Sequence, residues 1–224
     1  MSLKPTKFSD SEKGWMQKRR DSWRMIRPEY HLIVTEGTKT EPKYFRAIKD
    51  IINQKYKERI QLDIFGEGKG TLNLLKEAQK RAASNPNGYK HVWIVFDTDD
   101  FPAEDVDAME PECKKLSNDE TIYHAIWSNQ CIELWFLLHF SYMHSDLHRY
   151  EYFSKLSDEF WKISAGRYAK NRDDLFARLR PFMEKAIGNA EKLEKDNHGK
   201  TASQSAPGTQ VHKLIKKLMP YLDG

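Results

Sequence analysis

Three acidic residues of the 224-residue chain stand at the ends of apolar runs: Glu36 follows residues 30–35, and Asp97 and Asp99 follow residues 91–96. Three carboxylates cannot share one point unless a cation neutralises them or one takes a proton. Oxygen-only donors select a hard ion, Mg2+ or Mn2+, over zinc. Such an ion keeps several waters and takes further ligands from a phosphate. The chemistry implied is phosphodiester cleavage or transfer, in which the ion polarises a phosphoryl oxygen and lowers the pKa of an attacking water. Taken singly, each acidic segment reads as ordinary turn or helix-cap residues. The two together, at two strand ends, are more specific than either.

Their convergence requires a particular sheet. Residues 30–35 form a compact apolar run bounded by Glu36-Gly37 and read as a buried strand. Thr40 reads as the cap of a helix running to about residue 56, with Glu41 and Pro42 in its first turn, where negative charge and proline are favoured. Residues 60–65 read as a second strand, 66–70 as a glycine-rich turn into a helix over 71–83, and 91–96 as the strongest strand. A helix over 103–116 and a fourth strand over 121–127 follow. This alternation predicts an α/β fold, a parallel sheet with flanking helices on both faces. Ligands of such sheets bind at the carboxyl ends of the strands, near a reversal in strand order. Glu36 and Asp97 close the first and third strands on that rim. Side chains alternate along an extended chain, so Asp97 and Asp99 point the same way.

Beyond residue 131 the pattern is helical: 131–140, 149–163, a long helix over 173–195, a polar loop over 197–207, and a last amphipathic helix with Val211, Leu214, Ile215 and Leu218 on one face. The chain thus divides into a basic N-terminal arm (1–28), an α/β core (29–140) and a helical C-terminal extension packed on that core (141–224). The net charge of +4 is spread unevenly, at +5, −5 and +4 over these three parts. An acidic middle between basic ends suits carboxylates that bind a cation and flanks that hold a polyanion. Charge blocks of this size also arise by chance on a surface this charged.

Composition excludes several classes. No run approaches the roughly 18 apolar residues of a spanning helix, and no apolar core follows the N-terminal charges as in a secretory signal. Two cysteines, Cys113 and Cys131, rule out a disulfide framework and a cysteine-based zinc site. A cytoplasmic protein without membrane attachment is expected.

Other residues have two readings each. Glu133 opens an apolar helix and is either a fourth acid near the metal or a buried glutamate with a basic partner. Glu41 and Asp100 stand beside the metal set as supporting acids. Ser128 and Asn129 end the fourth strand, read as caps of the next helix, and share the rim. Lys39 is a candidate contact to a scissile phosphate. The 66–70 turn could offer N–H groups and Lys69 to a phosphate at a helix N-terminus, but it lacks the Walker A and dinucleotide spacings and reads more simply as a turn. Arg167, Lys170 and Arg172 flank Tyr168 and could bind a nucleic-acid backbone with base stacking, or form an ordinary charged loop. His124, His139 and the tryptophans at 93, 127, 135 and 161 read as core. There is no Ser-His-Asp or Cys-His constellation.

Val34-Thr35-Glu36-Gly37-Thr38-Lys39-Thr40-Glu41 with Tyr44-Phe45, and Val95-Phe96-Asp97-Thr98-Asp99, resemble the two signatures of a Toprim domain. Topoisomerases, primases and the overcoming-lysogenization-defect nucleases share that fold. More narrowly, Ser128-Asn129 leading into Ile132-Glu133-Leu134-Trp135 and Leu138-His139-Phe140 resembles the RloB-like family, as do Tyr168, Lys170, Ala186, Ala190, Leu193, Pro207, Thr209 and Leu214 in the tail. The resemblance covers about residues 20 to 220. It implies a Toprim-like, Mg2+-binding protein of bacterial anti-phage abortive-infection systems, encoded beside an AAA/ABC-type ATPase partner. It also implies that Glu36 acts as general acid/base and that Asp97 and Asp99 hold the metal. Nothing matches the gate tyrosine of topoisomerases, which argues against strand passage. The function expected is Mg-dependent cleavage of DNA or RNA, and the alternative is a noncatalytic nucleic-acid- or partner-binding module regulated by an ATPase.

Overall fold

The structure is a computed structural model and describes residues 28–98 and 101–222. The N-terminal arm up to residue 27, and with it Asp99 and Asp100, lies outside the described residues.

Four apolar runs form one wholly parallel sheet: β1 (Glu29–Thr35), β2 (Ile60–Gly66), β3 (His91–Asp97) and β4 (Ile122–Ser128), in the spatial order β2-β1-β3-β4. Helix α1 (Thr40–Tyr56) carries the chain from β1 out to β2. Helix α2 (Thr71–Ser84) brings it back past β1 to β3, and α3 (Ala103–Leu116) carries it on to β4. Parallel crossovers share one hand, so reversing direction along the sheet moves the connecting helix to the opposite face. The side chains record this. Ile33, Trp93, Val95 and Ile126 join α1 in one apolar cluster, while Leu32, Val34, Val92, Ile94 and Phe96 join α2 and α3 in another. Both faces of the central strands β1 and β3 are covered, so these read as continuous apolar runs, whereas the edge strand β2 alternates, with Ile60, Leu62 and Ile64 buried.

Four further helices follow: α4 (Glu133–Leu138), α5 (Arg149–Lys162), α6 (Leu175–Leu179) and α7 (Met183–Asp196), before α8 (Val211–Leu218) closes the described fold. Their buried residues, among them Trp135, Phe160, Phe176, Ala190 and Leu214, belong to the same cluster as α1 and its face of the sheet. The helical half therefore shares one core with the sheet.

Several expectations need correction. The long helix over 173–195 is broken, because Pro181 lacks an N–H and crowds the preceding turn; a 3-10 turn, Arg180–Phe182, separates α6 from α7. Lys39, not Thr40, sits at the N-cap of α1, without a side-chain cap bond, and Thr40 is the first helical residue. Ser128 and Asn129 do not cap α4, whose N-cap is Ile132. Instead Ser128 Oγ pairs with Thr209 Oγ1 at 2.9 Å, tying β4 to the segment before α8. Trp161 is exposed on α5 rather than in the core.

Candidate active site

Strand order reverses between β1 and β3, so their carboxyl ends flank the crevice where α/β sheets bind ligands. Glu36 lies at this seam and is held from both sides: its N–H donates to Val95 O at 2.9 Å, and its C=O accepts from Gly68 N at 2.9 Å. The N–H of Asp97 donates to Glu36 Oε2 at 3.1 Å, which brings the two strand-end acids together across 61 residues of sequence. A cleft of about 580 Å3 opens here, lined by Glu36, Lys39, Glu41, Lys69, Asp97, Phe101, Arg149 and Lys170. Oxygen donors of this kind fit a hard divalent cation.

Below the rim lies a second acidic layer. Glu41 and Glu133 are both buried, and Glu133 Oε1 accepts from Tyr168 Oη at 2.9 Å, with Lys170 Nζ at 3.7 Å. Burial raises the Glu41 pKa, and the neighbouring Glu133 raises it further. The Cys131 thiol is pushed far up by burial, then by Glu133 and Asp97, so it is not a nucleophile. Gly37 has to be small: a Cβ there would stand 2.0 Å from Glu41 Oε2. Gly70, the N-cap of α2, is likewise covered by the Phe101 ring, 2.6 Å from where its Cβ would be.

The structure thus brings Glu36, Lys39, Glu41, Lys69, Asp97 and Lys170 to one cleft, with Glu133 beneath it. Lys69 is engaged by Glu77 at 2.9 Å. Ser128 is fully buried in its pair with Thr209 and does not line the cleft. Asn129 faces an adjoining cavity. Arg172 is spent within its own loop, with its fork on both Asp174 oxygens at 2.8 Å and further bonds to the carbonyls of Ala165 and Arg167. Arg167 is exposed away from the cleft lining. Tyr168 is buried on Glu133, so it offers no face for base stacking. Arg149, the first residue of α5, and Phe101 are cleft residues that sequence reasoning missed; nothing in their local pattern distinguishes them from other surface side chains.

A second polar group sits at the opposite, amino-terminal rim. Glu29, His31 and His91 bring three ligand atoms within 4.8 Å of one another and could hold a metal ion. Their donor set, two imidazoles and a carboxylate, suits a borderline ion such as Zn2+ better than Mg2+. In the present arrangement hydrogen bonds occupy those atoms. Trp93 Nε1 donates to His31 Nδ1 at 3.3 Å, which leaves His31 Nε2 to donate to Glu29 Oε1 at 2.7 Å. His91 Nε2 approaches the same oxygen at 3.3 Å, and its Nδ1 then accepts from His124 Nε2 at 2.9 Å. A metal would have to displace both bonds to Glu29. No helix among the described residues is long and apolar enough to cross a membrane.

The family model for RloB-like protein matches residues 31–218, spanning the sheet, the cleft and the helical half. Neither the curated proteins nor the solved structures gave a match.

Proposed function

The chain belongs to the RloB-like family, and from that premise we propose that it is a Toprim-type, metal-dependent nuclease whose active site is the β1/β3 cleft. The observation that carries this reading is the pairing of Glu36 with Asp97 at the strand-order reversal, in an open polar cleft edged with cations. Glu36, Asp97 and Asp99 would hold Mg2+ or Mn2+, which supplies charge neutralisation at the phosphate and a more acidic water. The Asp97 N–H fixes the orientation of the Glu36 carboxylate, the group placed to take a proton from an attacking water. Lys39, exposed, and Arg149, both in the cleft lining, bind and orient the phosphate. Lys170, with its Nζ 3.7 Å from Glu133 Oε1, partly offsets the upward push on Glu41.

Nucleic acid is the polyanion that such a cleft selects. The family points further to a cytoplasmic role in anti-phage abortive infection, with an AAA/ABC-type ATPase controlling access or activation. The test is Mg2+ or Mn2+ titration of the wild type and Asp97→Ala with plasmid DNA and total RNA as substrates. Metal-dependent cleavage lost in the variant supports the nuclease and names the nucleic acid. Metal binding with no cleavage, with or without the ATPase, supports a noncatalytic module instead.

A further inference from the structure

Asn129 ends the rim on the β4 side and is built unlike its neighbours. It is only 8 % exposed, yet its side-chain oxygen has no hydrogen-bond partner among the described residues. Buried amide oxygens in native folds are almost always satisfied, so an orphan at a ligand-binding rim marks a place kept for a donor. Its backbone is firmly held, with the N–H donating to Gly208 O at 2.7 Å. The next residue, Gln130, adopts φ 46°, a left-handed conformation rare for a side chain of its size. Gln130 Oε1 accepts from Arg149 N at 2.8 Å, which pins this strained turn to the start of α5. Strain of this kind persists where a site must be held in shape.

Asn129 faces a cavity of about 410 Å3, within the usual size range of small-molecule sites. Phe101 and Arg149 line both this cavity and the carboxylate cleft, so the two spaces share a wall. Among the described residues its lining carries Arg149 and His148 and no carboxylate. The described lining offers an aromatic ring with a flat face, an amide with acceptor and donor side by side, and a guanidinium of a kind suited to phosphate. A planar heteroaromatic with an amino group beside a ring nitrogen, attached to a phosphate, matches all three.

We infer that this cavity receives the unstacked base of the nucleotide beside the scissile phosphate. Asn129 pairs with the base edge and Phe101 lies against its face. Adenine, whose amino group and N7 take an amide bidentately, is the best match. The inference rests on the nuclease reading and adds to it a substrate with an unpaired base at the cleavage site.

The experiment is calorimetric titration of the wild type and Asn129→Ala with AMP, UMP and ribose 5-phosphate. The wild type is expected to bind AMP about tenfold or more tightly than ribose 5-phosphate, with UMP between them. Asn129→Ala removes no intramolecular hydrogen bond of that side chain, so it should keep its melting temperature and lose the discrimination. If wild-type AMP binding is no tighter than that of ribose 5-phosphate, or absent, the proposal is overturned without recourse to any variant. Cleavage of plasmid DNA and total RNA is scored separately. Base-dependent binding without cleavage, whether or not the ATPase is present, keeps the pocket and removes the nuclease reading, whereas cleavage without base discrimination does the reverse.

Discussion

The backbone N–H of Asp97 is bound to the side-chain oxygen of Glu36 at 3.1 Å, so the end of one central strand orients the acid of the other. Because the donor is backbone, replacing the Asp97 side chain leaves this bond in place. Asp97→Ala and Glu36→Gln should each lower metal-dependent cleavage about 100-fold or more, while the melting temperature stays within about 3 °C. Added Mg2+ should raise the melting temperature of the wild type and not of Asp97→Ala. Cleavage that survives in both variants would remove these residues from the chemistry.

Gly37 and Glu41 should be coupled, since a Cβ at 37 would overlap the Glu41 carboxylate. Gly37→Ala is expected to cost about 1–3 kcal/mol in the wild type and far less in a Glu41→Ala background. A double-mutant cycle in urea measures the difference. Additive effects would mean that the two groups do not meet.

Glu41 also has a pH signature. Its folded pKa is raised, by burial first and then by Glu133. The folded state therefore binds a proton that the unfolded chain has already lost, and stability falls as pH rises from about 4.5 through the folded value. Glu41→Gln should remove that slope and stabilise the protein at pH 8 relative to the wild type, as read by urea melts. A variant less stable at pH 8 and unchanged at pH 5 would mean that the carboxylate is held charged.

The histidines act in the opposite sense. Burial lowers the pKa of His124 and His139 to about 4, and burial with the nearby His31, Lys217 and His124 lowers that of His91 to about 3. Unfolded histidines take up protons near pH 6.5 while these three do not. Their contribution to stability is thus complete above pH 6.5 and is lost as pH falls toward 4. His91→Gln and His124→Gln should each flatten the stability–pH curve over that window by about one proton. Curves of unchanged slope would show that the rings are already protonated in the fold.

The cations divide into two kinds. Lys39→Ala and Arg149→Ala should each reduce the salt dependence of nucleic-acid binding by about one unit of slope. Arg172→Ala should leave that slope alone and lower stability by about 1–3 kcal/mol, since its guanidinium holds Asp174 and two carbonyls. Fluorescence anisotropy at several salt concentrations, alongside thermal melts, separates the two.

The sheet was readable because strands buried on both faces leave unbroken apolar runs, and the runs around Ile33 and Ile94 have no helical alternative of that length. The rim residues followed, since a parallel strand's end fixes where Glu36 and Asp97 must emerge. Local signals failed where distant chain decides the partner. The Glu133 position was recognisable as awkward, but its partner Tyr168 lies 35 residues away and reads locally as part of a basic, stacking-competent loop. The histidine network at the amino-terminal rim joins residues from three strands, so no single segment displays it. Pro181 was a local signal, and the helical periodicity on either side of it masked the break.

The clasp between Ser128 and Thr209 sets an order in time. The rim at the end of β4 is closed by residues 81 positions further along the chain. During synthesis at roughly 5–20 residues per second, β4 is made some seconds before Gly208 and Thr209. Through that interval the backbone of Asn129 lacks its anchor at Gly208. A nascent chain therefore carries both carboxylates before residues 208 and 209 arrive to finish the rim.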